Sequence, residues 1–327
     1  MKKFLSIIAA AAIAVSCLCG CSSANKSGNQ NGKIQIVTTI FPEYDWVMNI
    51  LGDNPANAEV TYLLNNGTDL HSFQPTANDI MKISSCDLFV YVGGESDEWV
   101  EDVLKEAVNK DMVTINLLDV LGDKVVEEEL VEGMQGEEEE EDAGEEEIEY
   151  DEHVWLSLKN AKILVQSISD EIQKIDPANA EAYKANTTAY IGKLDQLDKD
   201  YQDVVNNASI KTVLFGDRFP FRYLIDDYGL EYYAAFVGCS AESEASFETV
   251  TFLSKKVDEL SLPVILTIEG NDKKIAETII SNTQSKDQTV LTMDSMQSTT
   301  SKDVANGVTY IQVMSGNLEV LKKALGN

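Results

Sequence analysis

The sequence predicts an α/β protein of two lobes, each a mostly parallel sheet flanked by helices, joined by one long rigid helix. Three observations carry this. Apolar runs rich in Val, Ile, Phe and Tyr alternate with amphipathic stretches in both halves, the signature of repeated β-then-α units. Between the halves, residues 179–207 hold a helical pattern with Tyr183, Tyr190, Ile191, Leu194, Leu197, Tyr201 and Val204 among its apolar positions. The chain has 327 residues, enough for two lobes with their own hydrophobic cores.

The first lobe is expected over residues 33–178. Strands are predicted at 33–39, 60–64, 88–92 and 112–117, with helices at 44–51, 76–85, 98–109 and 153–175. Pro75 stands beside the start of the second helix, where a missing N–H costs nothing. Asp176-Pro177 closes the last one. The second lobe, 208–327, repeats the theme with strands at 212–216, 232–236, 264–269 and 290–294 and helices at 221–228, 246–260, 273–282 and 303–325.

Residues 127–152 interrupt the pattern. The run is mostly glutamate with few apolar side chains, so it is expected to be a mobile acidic loop unable to bury its own surface. The formal charge is −31, and about half of that excess lies in this run. Such a balance argues against nucleic acid, whose phosphates it repels, and favours cationic ligands.

The N-terminus has the form of an export signal. Lys2 and Lys3 precede an apolar run from Phe4 to Val15, then Leu18-Cys19-Gly20-Cys21. Leu-x-Gly-Cys resembles a bacterial lipobox, which implies a signal over 1–20, lipid on Cys21 and a flexible tether over 21–32. The expected place is the extracytoplasmic face of the cell membrane. Once the signal is removed, Cys86 and Cys239 remain in the folded part, too far apart in sequence to define a disulfide framework.

Candidate site residues follow from topology. In open α/β sheets, ligands bind beyond the carboxyl ends of strands. There stand His71, Asp217, Cys239, Glu242, Glu244, Glu269 and Asp294, and His153 follows the acidic run. His71 and His153 are the chain's only two histidines. Imidazole and carboxylate are ligands for divalent transition metals. Each residue also has a plain structural reading: a satisfied core histidine, a helix cap for Asp217 or Asp294, a small buried hydrophobe for Cys239.

Two motifs sharpen the reading. His71-Ser72-Phe73-Gln74-Pro75-Thr76-Ala77-Asn78-Asp79-Ile80 resembles the His-Ser-(Phe/Tyr)-(Glu/Gln)-Pro-x-x-x-Asp-(Ile/Leu) motif of the zinc and manganese substrate-binding lipoproteins of ABC importers. Asp151-Glu152-His153-Val154-Trp155-Leu156 resembles that family's Asp-Pro-His-x-Trp-(Leu/Met) motif, with Glu152 replacing the proline. Val37–Pro42 and Tyr228-Gly229-Leu230 add to the likeness, which covers residues 33–327.

The resemblance implies a monomer holding Zn²⁺, with Mn²⁺ as second candidate, between its lobes for delivery to a membrane permease. The implied ligands are His71, His153, an acid after the last strand that matches Asp294, and a third group near the end of the fifth strand. Ungapped counting places that third group on Arg218, which cannot ligate. The neighbouring Asp217 is then the expected ligand, with Glu242, Glu244, Glu269 and Cys239 in reserve. The alternatives are a surface metal-dependent adhesin and a metallohydrolase. No His-Glu-x-x-His, Gly-x-Ser-x-Gly or phosphate-cradling glycine loop supports an enzyme.

Overall fold

The computed structural model describes residues 33–136, 149–240 and 244–327. The export signal, the tether with Cys21, the centre of the acidic run and Glu242 lie outside the described residues. Among the described residues, no helix is long and apolar enough to cross a membrane.

The N-terminal sheet contains β1 (Gln35–Thr38), β2 (Glu59–Tyr62), β3 (Leu88–Tyr91) and β4 (Val113–Asn116), all parallel in the order β2-β1-β3-β4. Around it pack α1 (Phe41–Leu51), α2 (Ala77–Ser85), α3 (Trp99–Lys105), α4 (Leu117–Leu121) and α5 (Leu158–Ile175). The connecting helix α6 (Ala180–Asn207) follows. The C-terminal sheet contains β5 (Thr212–Phe219), β6 (Glu231–Val237), β7 (Val264–Ile268) and β8 (Thr289–Met293), again parallel, in the order β6-β5-β7-β8. Its helices are α7 (Arg222–Tyr228), α8 (Phe247–Leu260), α9 (Lys274–Asn282), α10 (Ser301–Ala305) and α11 (Tyr310–Ala324).

α6 is about 42 Å long at ~1.5 Å per residue. Tyr183, Thr187, Tyr190, Leu194, Leu197, Tyr201 and Val205 form its buried stripe, at the three- and four-residue spacing one helix face requires. Hydroxyls on that stripe tie it to both ends of the chain. Tyr190 donates to Asp45 Oδ2 of α1 at 3.0 Å, and Tyr201 donates to the Met314 carbonyl of α11 at 2.7 Å. α11 thus returns from the C-terminal sheet to the first lobe. Its Tyr310 meets the Trp46 ring edge-on at 5.3 Å and donates to the Trp155 carbonyl at 2.6 Å. The larger apolar core therefore runs through both lobes, and a second, separate one, with Leu253, Val257 and Ile279, lies in the C-terminal lobe.

Three expectations change. The helix expected at 153–175 begins at Leu158. Ser157 caps it by accepting from Asn160 N at 3.0 Å, and Val154–Leu156 form a separate 3-10 turn that leaves His153 before any helix. The helix expected at 303–325 is two, because Gly307 takes a positive φ and Thr309 caps a new start.

The acidic run differs most. Its described flanks are bound to the fold: Glu127 bridges Tyr150, Asp151 N donates to the Val126 carbonyl at 3.0 Å, and Gln135 N donates to the Ala235 carbonyl at 2.9 Å. β6 is an edge strand. Its unpaired backbone groups offer that partner, which composition alone does not reveal.

Candidate metal centre

His71 sits in a 3-10 turn, Leu70–Ser72, that follows β2. Asp69 opens the turn, accepting from His71 N at 3.1 Å, and buried Leu70 anchors it. The ring is oriented by Ser96, whose hydroxyl is 2.8 Å from His71 Nδ1. Ser96 lies in the turn after β3, reached through Gly93 and Gly94, both at positive φ. Gly94 is also a matter of space, since a methyl there would stand 2.3 Å from Glu152 Oε1. Glu152, which replaces the motif's proline, accepts from Ser96 N at 2.9 Å. It therefore braces the residue that orients His71.

His153 is fully buried. Asp151 Oδ1 accepts from its backbone N at 2.8 Å and contacts its Nδ1 at 2.9 Å. That carboxylate holds the proton on Nδ1 and leaves Nε2 as a free lone pair, the arrangement metal-binding histidines commonly have. The two Nε2 atoms stand 3.2 Å apart. Two nitrogens bound at ~2.05 Å with tetrahedral angles are separated by about 3.3 Å. Burial and the adjacent His153 push His71 down to about 3. His153 is raised: burial acts against this, but Asp151 and the neighbouring carboxylates outweigh it.

The third group of this cluster is Cys239. Ligand atoms of His71, His153 and Cys239 all lie within 4.8 Å of one another. Gly238 allows this approach, because a side chain there would meet His153 Cε1 at 2.9 Å and the Phe219 carbonyl at 3.0 Å. Cys239 N donates to Glu128 Oε1 at 3.1 Å. Burial, then the charges of Glu128 and Asp151, push its thiol well above the ordinary range. A cavity of about 400 Å³ opens onto the group, and Glu128 and Glu152 are among its walls.

Residues 36–324 match the family of the zinc-uptake complex component A, periplasmic. The chain belongs to this family. It is 34% identical over 327 residues to the zinc-binding lipoprotein AdcA of Streptococcus pneumoniae, covering 99% of this chain and 61% of that one. It is 31% identical over 298 residues to the zinc-binding protein AdcA of Streptococcus pyogenes, covering 89% and 56%. The chain thus spans somewhat more than half the length of these AdcA relatives. With the high-affinity zinc uptake system protein ZnuA of Bacillus subtilis it shares 32% identity over 324 residues, 98% and 97% of the two chains. Among solved structures, the zinc-bound ZnuA-like domain of the pneumococcal AdcA superposes with TM-score 0.70 at 30% identity, over 90% of this chain and all of that one. The metal-dependent lipoprotein YcdH of Bacillus subtilis superposes with TM-score 0.72 at 29% identity, over 90% and 100%.

This member of the zinc-uptake component A family brings only part of the expected set together. Asp217 and Asp294 are not in the cluster with the two histidines. Asp217 is buried and spent on the backbone, accepting from Ile268 N at 3.0 Å, Arg218 N at 2.9 Å and Asn271 Nδ2 at 2.5 Å. Its strand was expected to end at Gly216 but runs to Phe219 across an irregularity between Phe215 and Arg218. Asp217 therefore sits within the sheet and not at a free strand end. Asp294 accepts from Met296 N at 2.8 Å, and burial together with nearby Glu269 raises its carboxyl to about 6. Glu269 is spent on Ser295 and Gln297, and Glu244 lines a different cleft with Asp217 and Arg218. Arg218 pairs with Asp69 at 2.7 Å and donates to the Ser240 carbonyl at 3.2 Å. Sequence reasoning missed Glu128 inside the acidic run. The apolar Val125 and Val126 just before it were the signal that the chain there is still attached to the fold.

Asp217→Ala is expected to orphan the Ile268 and Asn271 donors and to cost about 2–4 kcal/mol of stability. Metal affinity of the folded protein should not change. Urea unfolding beside a metal titration checks this, and a selective loss of affinity would return Asp217 to the ligand set.

Proposed function

We propose that this protein captures a divalent transition metal, zinc, on His71 and His153 outside the cytoplasm and delivers it to a membrane permease. The observation that carries the reading is the opposed Nε2 pair, 3.2 Å apart, with each Nδ1 held by its own oxygen partner, Ser96 or Asp151. Two lone pairs set face to face inside a protein favour a cation between them. The zinc named in the relatives' own descriptions, and the fold they share with this chain, support zinc as the ion. The reading includes lipid attachment at Cys21 and a binding role rather than an enzymatic one.

The test is elemental analysis of the full chain purified without added metal, followed by zinc and manganese competition. One zinc per chain is expected. His71→Ala should weaken zinc binding by on the order of 100-fold or more, beyond what loss of a merely supporting residue does. A chain that retains no metal, or a His71→Ala variant with unaltered affinity, overturns the reading.

A further inference from the structure

We propose that Cys239 is the third donor of this centre, as a thiolate. The ions accepted are then thiophilic ones, zinc and cadmium, and manganese is disfavoured. The inference rests on the preceding reading that His71 and His153 hold the ion.

The first argument is position. Cys239 follows β6 directly after Gly238, and its sulfur belongs to the one compact group that, among the described residues, includes both histidines. The loop is held through its backbone, with Glu128 accepting the Cys239 N–H and the Ser240 carbonyl accepting from Arg218, while the thiol's own hydrogen-bond partner is the Glu128 carboxylate in the wall of the same cavity. The sulfur is not spent in a disulfide either. Cys86 is also free, and it lies buried in the other lobe against Met112 Sδ at 3.4 Å.

The second argument is what became of the alternatives. The residue that ungapped counting puts at the third ligand position, Arg218, has a different task here. One end of its guanidinium holds Asp69, two residues before His71, and the other holds Ser240, one residue after Cys239. Arg218 is thus a clamp that draws the His71 loop and the Cys239 loop together. An arginine unable to ligate makes sense where another residue supplies the donor and the two loops need a fixed spacing. Asp217, the nearest carboxylate, is committed to β7.

The third argument is chemistry. Zinc binds imidazole at ~2.0–2.1 Å and thiolate at ~2.3 Å, so tetrahedral N···S separations are about 3.6 Å. Ligand atoms already within 4.8 Å reach that by a small side-chain movement. A soft sulfur raises affinity for zinc and cadmium and does little for manganese, which prefers oxygen. Glu128 and Glu152, in the wall of the same cavity, are carboxylates available for a fourth position.

Cobalt(II) substitution tests this, because a thiolate bound to cobalt gives a near-ultraviolet charge-transfer band that imidazole and carboxylate do not. The full chain is used with Cys17, Cys19, Cys21 and Cys86 changed to serine, leaving Cys239 as the one thiol. One equivalent of cobalt should produce the band, zinc should bleach it, and zinc should protect the thiol from iodoacetamide stoichiometrically. Adding Cys239→Ser should abolish the band and weaken zinc binding by roughly 1,000-fold, beyond the ~10–100-fold that loss of a supporting residue costs. Cys239→Asp should shift the preference towards manganese. Cobalt bound without the band, or alkylation unaffected by zinc, overturns the proposal even if the serine variant does not fold. In that case a His71→Ala variant that still loses metal leaves the histidine reading standing. If His71→Ala also binds normally, the site itself is misassigned.

Discussion

Replacing His153 by alanine is expected to weaken zinc binding by two to three orders of magnitude and, separately, to destabilise the metal-free protein. The first figure follows from the size of such sites. Structural zinc centres bind with roughly 10–16 kcal/mol, so one donor of four carries about 3–4 kcal/mol. The second follows from burial. His153 is fully enclosed, and Asp151, itself only 3% exposed, spends Oδ1 on the ring. Without the ring, the carboxylate keeps the backbone N–H at 2.8 Å but loses the ring N–H it accepts from. That should cost about 2–3 kcal/mol. The two effects separate in a second variant. Adding Asp151→Asn to His153→Ala removes the stranded charge and should restore much of the stability while leaving zinc affinity low. Urea unfolding of the metal-free protein and a chelator competition read the two quantities independently. If stability falls and affinity does not, His153 is a core residue and the Nε2 pair is not the site.

How far the centre could be read beforehand depended on whether a residue's role was local. His71 and His153 sit inside motifs whose neighbours do the positioning: Asp69 opens the turn of one, and Asp151 holds the ring of the other. Both relationships lie within two residues and are visible in one dimension. Cys239 stands among the reserve donors in the sequence, and it gains its place beside the histidines only once β6 is laid beside β5 and the His153 loop folds back over Gly238. That juxtaposition spans 86 residues of sequence from His153 and leaves no local trace. Asp217 was misplaced for a related reason. Five apolar-leaning residues signal a strand, but nothing local shows that it continues through Asp217 and Arg218 to Phe219. The two parallel-sheet lobes and the long helix α6 were legible because hydrophobic periodicity and repeated β-then-α units decide them. The attachment of the acidic flanks was not, because it depends on the open edge of β6.

Asp97→Asn is expected to stabilise the protein in mildly alkaline solution and to flatten its pH dependence. Asp97 is 3% exposed, accepts from Gly93 N at 3.0 Å through Oδ2, and has no partner at Oδ1 among the described residues. Glu43, fully buried, is in the same position. Its Oε2 accepts from Thr39 N, Thr39 Oγ1 and Ile40 N, while Oε1 is unpartnered. Burial, opposed by the Gly93 amide and helped by Glu152, raises Asp97 from an ordinary 3.8 to about 7. Burial and the charge of Asp97 raise Glu43 well above the usual range. A carboxyl raised on folding binds its proton more tightly in the native state. Its stabilising contribution is therefore complete below about pH 4 and is lost as pH rises through about 7. The full span corresponds to about 4 kcal/mol at ~1.36 kcal/mol per unit. Asparagine keeps an oxygen for Gly93 N, carries no charge to desolvate, and removes the repulsion that holds Glu43 up. At about pH 8 the variant should gain roughly 2–4 kcal/mol, and its stability between about pH 4 and 7 should vary less than the parent's. Denaturant unfolding across that range measures both. An unaltered slope, or a variant less stable than the parent at about pH 8, would mean that Asp97 is not the group whose burial is being opposed.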